Sequence, residues 1–375
     1  MRIFHIITGL NNGGAEGHLY RLIKEDKMDE HIIVCLTGKG LYYHKLKDRN
    51  YKVYCVEMKR RSPSILKFIK LIRLIKFYQP SVVQTWMYHA DLIGSIAAKI
   101  AGVERIVWGL RHGDVLKSTQ KLSTKIVVIA LAKLSYFLPK KIIACSKETL
   151  DIHRGYGYRP DILSHINNGY DSSILKADAQ LRTNCRERLK IRNDQFLIGI
   201  VARYEPVKNH KLFVEAVSKI NQECRDEVVI LFAGKDTETI NISLLSAIAD
   251  LSNLRCVFLG EVSDVISIYS SLDMLVLSSI TEGFPNVLAE SMLCKTPVIS
   301  TNVGSAEMII GDTGYIVETN NAYQMSEAIN VYFNEWKFDK LRWAERKTKS
   351  RQRVMNIFSI NDMSENYKKI WRCEN

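Results

Sequence analysis

Short continuous apolar runs alternate along this chain with longer stretches in which apolar residues recur at helical spacing. Ile3–Thr8, Ile32–Thr37, Val53–Glu57, Ser81–Trp86, Arg105–Leu110 and Lys141–Cys145 read as strands. Runs of about 4–8 apolar residues between turn residues suit strands covered on both faces. Helical patterns fall between them, from Ala15 to Lys24, over Pro63–Phe77 and over Ile93–Ala101. The polar segment Ile166-Asn167-Asn168-Gly169-Tyr170-Asp171 and the charged connector Ser172–Asn193 interrupt the pattern, which then restarts. Phe196–Val201, Glu227–Ala233, Val257–Glu261, Asp273–Ser278, Val298-Ile299 and Gly314–Val317 are its strands, and Asn286–Cys294 and Ile360–Trp371 are helical, the latter with Met363, Tyr367 and Ile370 on one face. Strand and helix alternating in this way predict parallel sheets with right-handed crossovers. The expected fold class is α/β, with two doubly wound, Rossmann-like domains. Their expected bounds are residues 1–168 and 169–355, followed by a terminal segment, 356–375.

A length of 375 residues fits two domains better than one core, and 46% hydrophobic with 25% charged residues is an ordinary globular composition. Eight scattered cysteines without a C-x2-C pair argue against zinc and against a disulfide framework. The apolar run after Met1-Arg2 is too short for a signal peptide, and no run of about 18 apolar residues offers a membrane span. Charge changes the picture more. Residues 1–170 hold 28 Lys and Arg against 13 Asp and Glu, whereas residues 171–375 hold 25 against 27. Nucleic acid or an anionic membrane surface would suit the basic half. No nucleic-acid module is visible and aromatic residues are not interleaved with the cations, so no nucleic-acid partner is expected.

The candidate chemistry centres on Thr281-Glu282-Gly283-Phe284-Pro285-Asn286-Val287-Leu288-Ala289-Glu290. Pro285 ends a strand but fits the first turn of a helix, so the amides of Asn286, Val287 and Leu288 are expected as free donors at a helix N-terminus. Such a terminus attracts phosphate by about 0.3–1 kcal/mol, up to about 2 when partly buried. With Glu282 and Glu290 on either side, the stretch suits a diphosphate between two sugars. Arg203-Tyr204-Glu205-Pro206-Val207-Lys208 adds two cations after the strand Phe196–Val201. Arg can fork onto two oxygens while Lys acts as a point charge. In the first half, Gly13-Gly14-Ala15-Glu16 follows a strand and opens a helix, and its glycines would admit positive φ and a close phosphate. Met87-Tyr88-His89 and Arg111-His112 each sit at a strand end, where doubly wound sheets place ligand groups.

These motifs resemble the E-x7-E pattern of retaining glycosyltransferases of family 4. Gly283-Phe284-Pro285 follows the first Glu, Thr296-Pro297-Val298-Ile299-Ser300-Thr301 follows the helix, and Gly304-Ser305-Ala306-Glu307 comes next, as in that family. The resemblance spans nearly the whole chain and implies a GT-B arrangement, two domains facing across a cleft, with segment 356–375 crossing back to the first. It implies a retaining, metal-independent transfer of a sugar from a nucleotide diphosphate sugar to a glycan hydroxyl in cell-surface polysaccharide synthesis, with no cofactor beyond that co-substrate. The donor would be held by Arg203, Lys208, Glu282, Gly283, Phe284, Pro285, Asn286, Val287 and Glu290, with Gly13 and Gly14 closing over it. Arg203 and Lys208 would neutralise the leaving diphosphate, Glu290 would bind the ribose and Glu282 the donor sugar. Either Arg111 or His112 would stand near the reacting centre, with His89 beside them on the acceptor side. A nucleotide-sugar epimerase of the same shape and a basic nucleic-acid-binding protein are the competing classes.

The basic half gives one further expectation. Lys67, Lys70, Arg73 and Lys76 repeat every third residue along the helix Pro63–Phe77, with Lys59, Arg60 and Arg61 just upstream. The segment Lys117–Lys141 offers either a second such surface or a buried helix. A lipid-diphosphate-linked acceptor and peripheral binding to an anionic surface, at the inner face of the cytoplasmic membrane, would account for both.

Overall fold

The computed structural model describes residues 1–58, 64–116, 121–220, 226–238, 251 and 254–374. Lys59, Arg60, Arg61, Pro63, Lys117 and Cys224 lie outside the described residues. The chain divides into a first unit, Met1–Gly169 with Ile360–Asn375, and a second, Tyr170–Ser359.

In the first unit, β1 (Arg2–Ile7), β2 (Glu30–Cys35), β3 (Lys52–Cys55), β4 (Val82–Trp86), β5 (Ile106–Leu110), β6 (Lys141–Ala144) and β7 (Leu163–His165) form one parallel sheet in the order β3-β2-β1-β4-β5-β6-β7. The helices are α1 (Gly14–Glu25), α2 (Leu41–Lys47), α3 (Ile65–Tyr78), α4 (Tyr88–Ile100), α5 (Leu122–Leu134), α6 (Lys147–Gly155) and, at the far end of the chain, Ile360–Arg372. Side chains alternate across the sheet. Phe4 and Ile6 join the core beneath α3, α4 and α5, while Ile3 and Ile7 join a second core with α1 and the helix Ile360–Arg372. Cover on both faces is why β1 is buried from Ile3 to Ile7 and apolar there apart from His5.

In the second unit, β8 (Phe196–Val201), β9 (Val228–Ala233), β10 (Arg255–Phe258), β11 (Met274–Leu277), β12 (Val298–Thr301) and β13 (Tyr315–Val317) pair in parallel in the order β10-β9-β8-β11-β12-β13. Around them lie α7 (Ala179–Arg188), α8 (His210–Ser218), α9 (Val265–Ser271), α10 (Asn286–Leu293), α11 (Ala306–Ile310), α12 (Ala322–Phe338) and α13 (Lys340–Ile357); the helix Ile360–Arg372 of the first unit is α14. In each sheet the strand order reverses once, between β1 and β4 and between β8 and β11. Doubly wound sheets bind ligands outside the carboxyl ends of the strands at such a reversal.

Four local expectations need correction. The connector Ser172–Asn193 contains α7, held by ion pairs rather than an apolar stripe: Arg182 and Arg186 reach Asp273 at 2.7 and 3.1 Å. Helix α4 starts at Tyr88, not Ile93, which puts His89 in its first turn. The inward face of α14 is Ile360, Met363, Ser364, Tyr367 and Trp371, with Ile370 only half-buried. Strand β7 has too few apolar residues for the periodicity to show it. Among the described residues no helix is long and apolar enough to cross a membrane.

Candidate active site

At the β8/β11 reversal the two strand-end loops are stitched together. Ile280 N–H donates to Val207 O at 2.8 Å, and Ser278 Oγ donates to Lys208 O at 2.9 Å. This holds Lys208 beside the loop after β11, where its Nζ meets Glu282 Oε1 at 2.5 Å; Ser279 Oγ donates to the same oxygen at 2.7 Å. Asn209, in the left-handed region at φ 48°, turns the chain into α8 and caps it through Leu212 N–H. Beneath Glu282 runs the loop after β12. A Cβ on Gly304, whose φ is +55°, would fall 2.5 Å from Gly283 O, so only glycine lets these loops approach.

The two cations differ in how firmly they are held. Arg203 meets Glu205 at 2.9 Å with both side chains exposed. Such a pair contributes about 0–1 kcal/mol, so the guanidinium is readily taken over by a stronger anion. Lys208 and Glu282 are largely buried, and removing either would strand a charge. Glu290 lies on α10, where Tyr269 donates to Oε2 at 3.1 Å; burial, then the neighbouring Glu290 charge, push the Tyr269 hydroxyl well above its ordinary pKa. The loop before α10 is only partly open to a ligand. Phe284 is buried against Tyr170 and Phe358, Pro285 is buried, and Asn286 Oδ1 accepts from Tyr170 Oη at 2.6 Å. The expected set of three free amides is also too large, because Leu288 N–H bonds Pro285 O at 3.1 Å.

In the first unit the strand-end groups sit on β1, β4 and β5, which are neighbours in the sheet. Gly13 caps α1 in extended geometry at φ −152°, not at positive φ. Its lack of a side chain matters for room instead: a Cβ would fall 2.5 Å from the Glu16 carboxylate, which folds back over it. Gly14 is the first residue of α1. After β4, Met87 adopts φ 71°, a conformation that costs a non-glycine residue on the order of 1–3 kcal/mol and aims the chain into α4 at His89.

Arg111 and His112 diverge. The Arg111 guanidinium stacks over Trp86 at 5.1 Å and donates to Asn168 Oδ1 at 2.7 Å, to His18 Nε2 at 2.7 Å and to Tyr367 Oη. Burial first, then the Arg111 charge, hold His18 well below its ordinary pKa, so it stays neutral and accepts. His112 instead remains half-exposed, its ring stacked on Tyr88 at 5.8 Å. Tyr88 Oη in turn donates to His153 Nε2 at 2.9 Å, and His153 Nδ1–H donates to Thr149 O at 2.7 Å. Sequence reasoning named neither His18 nor Asn168 nor the Tyr367 hydroxyl as part of a site. Only His18, one turn after the glycine loop, carried a signal. A concavity of about 940 Å³ in this unit opens between Gln79, Gly102 and Lys141, by the amino ends of β4 and β5, away from these groups.

Among the described residues no three His, Cys, Asp or Glu side chains converge as metal ligands. Residues 182–350 match the family model "Glycosyl transferases group 1" and residues 12–174 match "Glycosyltransferase Family 4". The chain is a family 4-like glycosyltransferase. It is similar to the capsular polysaccharide biosynthesis glycosyltransferase CapM of Staphylococcus aureus, at 27% identity over 96% of this chain and 93% of that protein. It is also similar to the UDP-Gal:alpha-D-GlcNAc-diphosphoundecaprenol alpha-1,3-galactosyltransferase of Escherichia coli, at 26% identity over 80% of this chain and 79% of that protein. The crystal structure of Anabaena Alr3699/HepE in complex with UDP and glucose superposes with a TM-score of 0.86 at 19% identity, over 100% of each chain. The two Rossmann-like units of this glycosyltransferase are thus those of the GT-B fold.

Proposed function

We propose that this glycosyltransferase moves a sugar, with retention at the anomeric carbon and without a bound metal, from a nucleotide diphosphate sugar to a hydroxyl of a lipid-diphosphate-linked glycan. The observation that carries the reading is Lys208, fixed by Glu282 at the β8/β11 reversal beside the exposed Arg203. When the bond from the anomeric carbon to the diphosphate breaks, the electron pair leaves with the phosphate oxygen. Lys208 and the start of α10 meet that charge already in place, which is where preorganised electrostatics lower a barrier most, and Arg203 is drawn to it from its weak pair with Glu205. The acceptor oxygen bonds the same carbon, and its proton passes to the departing diphosphate. Glu282 Oε2 accepts from a donor-sugar hydroxyl while Oε1 keeps Lys208 in place, and Glu290 takes the ribose. His112 stands by the reacting centre, because Arg111 is committed to His18, Asn168 and Tyr367; Arg111 and His89 shape the acceptor side around it.

Two facts support the acceptor class. The Escherichia coli relative is named for a diphosphoundecaprenol acceptor, and the excess of cations lies in the first 170 residues. The enzyme would then work peripherally at the inner face of the cytoplasmic membrane. The test is to supply UDP- and GDP-sugars one at a time, with and without a polyprenyl-diphosphate glycan, and to follow nucleotide diphosphate. Release that requires the acceptor is expected for at least one donor. Isomerisation of a donor in the absence of acceptor would point to an epimerase instead.

A further inference from the structure

Residues 58–90 and 115–147 each contain seven Lys or Arg and no Asp or Glu. These stretches carry α3 and α5, which pack on either side of α4 over one face of the first sheet. Helix α5 is apolar on both of its sides. It buries Val128, Leu131 and Ala132, yet Leu122, Ile126 and Ile129 are 73%, 58% and 51% exposed, and just beyond its end Phe137 is 77% exposed. Steps of four and three residues put Leu122, Ile126 and Ile129 on one outward stripe. Helix α3 repeats the arrangement, burying Leu71, Ile75 and Tyr78 while exposing Ile65, Leu66 and Phe77. Ile96 and Ile100 of α4 are exposed between the two. Single exposed apolar residues need no explanation, but a contiguous set over three packed helices marks an interaction surface.

Charge decides what covers it. Lys70, Arg73 and Lys76 on α3, Lys99 on α4 and Lys121 and Lys133 by α5 are all exposed around these apolar residues. A second copy of the chain docking the same face would set cations against cations. An anionic leaflet answers both features, since apolar side chains enter the headgroup and acyl boundary while long lysine stems keep their ammonium groups level with the phosphates. We infer that the outer face of α3, α4 and α5 seats in an anionic lipid leaflet by insertion as well as by attraction. The inference deepens the peripheral-membrane reading above and rests on it. Attraction alone would be abolished at about 1 M salt, where the Debye length is about 3 Å; inserted apolar area is not screened.

The test is co-sedimentation of the full chain with phosphatidylcholine vesicles, with and without phosphatidylglycerol, at low and at about 1 M salt. The wild type is compared with a combined Leu122→Ser, Ile126→Ser, Ile129→Ser variant and with a combined Lys70→Gln, Arg73→Gln, Lys76→Gln variant. The wild type should keep a bound fraction at high salt. The apolar variant should lose that fraction by roughly ten-fold or more, and the charge variant should lose chiefly low-salt binding. All the altered side chains are exposed, so thermal unfolding should not change. Complete release of the wild type at high salt, or equal binding of the apolar variant and the wild type, would overturn the inference. So would a wild-type dimer that becomes monomeric in the apolar variant, because the face would then belong to a second copy. Nucleotide diphosphate release with detergent-dispersed acceptor reads the catalytic proposal separately. It should persist in the apolar variant, and its absence from all three proteins would sink the catalytic proposal without touching the vesicle result.

Discussion

The two units share a reversal of strand order at the sheet centre but equip it in opposite ways. Eight of the nine histidines and the cationic excess lie in the first unit, yet His5, His18, His31 and His153 are buried, and the Arg111 charge behind β5 is taken up by Asn168, His18 and Tyr367. His5 shows the pattern. Trp86 Nε1–H donates to its Nδ1 at 3.2 Å, its Nε2 meets His31 Nδ1 at 2.9 Å, and His31 Nε2 faces Asp26 at 3.2 Å, with Lys368 of α14 on the other Asp26 oxygen. Burial alone would raise the Asp26 carboxyl, but hydrogen bonds from His31, the Met28 amide and Lys368 hold it well below its ordinary value. The second unit keeps charge at its strand ends, as the Lys208–Glu282 and Arg203–Glu205 pairs. A departing diphosphate needs charge that is already present and fixed. A neutral acceptor hydroxyl needs shape and a few oriented donors. On this account the asymmetry follows from the halves of the reaction that the units serve.

The largest expected effect is in the second unit. Lys208→Ala should lower kcat by about 10²–10³, near the cost of removing one preorganised donor, and should leave the first unit's stability unchanged. Turnover within a few-fold of wild type would remove Lys208 from the reaction and erase the contrast. Activity in excess chelator should match the untreated enzyme, since cations of the chain do this work. Loss of activity that is restored only by Mg²⁺ or Mn²⁺ would contradict that.

Acid should open the first unit before the second. Burial holds His5 and His18 well below their ordinary pKa and lowers His153 to about 4, and it also lowers His165; in the second unit only His210 is comparable, at about 4. These groups stay neutral in the folded chain and take up protons when it unfolds. Their stability contribution is therefore full above about pH 6.5 and falls as pH drops toward 4, by up to about 1.4 kcal/mol per pH unit for each group. Hydrogen exchange read by peptide at pH 5 against pH 7.5 should show faster opening in the first unit's strands. Equal loss of protection in both units would break the comparison.

Tyr367→Phe should destabilise the first unit by about 1.5–3 kcal/mol, the range for a hydrogen bond to a charged group. Its effect on kcat should be smaller than that of Lys208→Ala, because Tyr367 acts through Arg111 and His18 and not on the departing diphosphate. A smaller test sharpens the pH argument. Asp91 is buried and bonded by Thr85 at 2.6 Å, and burial pushes its carboxyl up to about 7. A raised carboxyl stabilises the fold at low pH and loses that contribution as pH climbs from about 4 to 7, opposite in sign to the histidines. Asp91→Asn should therefore make the acid loss of stability steeper. A shallower curve would reverse the assignment.

Much of this was legible in the amino-acid order. Continuous runs such as Phe196–Val201 are strands because both sheet faces are covered, Arg203, Lys208 and Glu282 stand on the expected strand-end loops, and Glu290 stands one turn inside the expected helix. Periodicity could not show α7, whose anchor is the buried Arg186, nor could it show that Phe284 turns inward to Phe358. The divergence of Arg111 from His112 was also hidden, because it depends on His18 and Tyr367, which are distant in sequence. For α5 the amino-acid order left a surface and a buried helix equally open, because a helix apolar on both sides looks, residue by residue, like a buried one.

Glycosyl transfer with retention remains the claim on which the rest depends. The direct measurement is to incubate the full chain with an α-configured nucleotide diphosphate sugar and a lipid-diphosphate glycan, then read the anomeric proton coupling of the product by NMR. The account predicts an α-linked product, formed in step with released nucleotide diphosphate. A β-linked product, or transfer that leaves the nucleotide attached to the sugar phosphate, would contradict it.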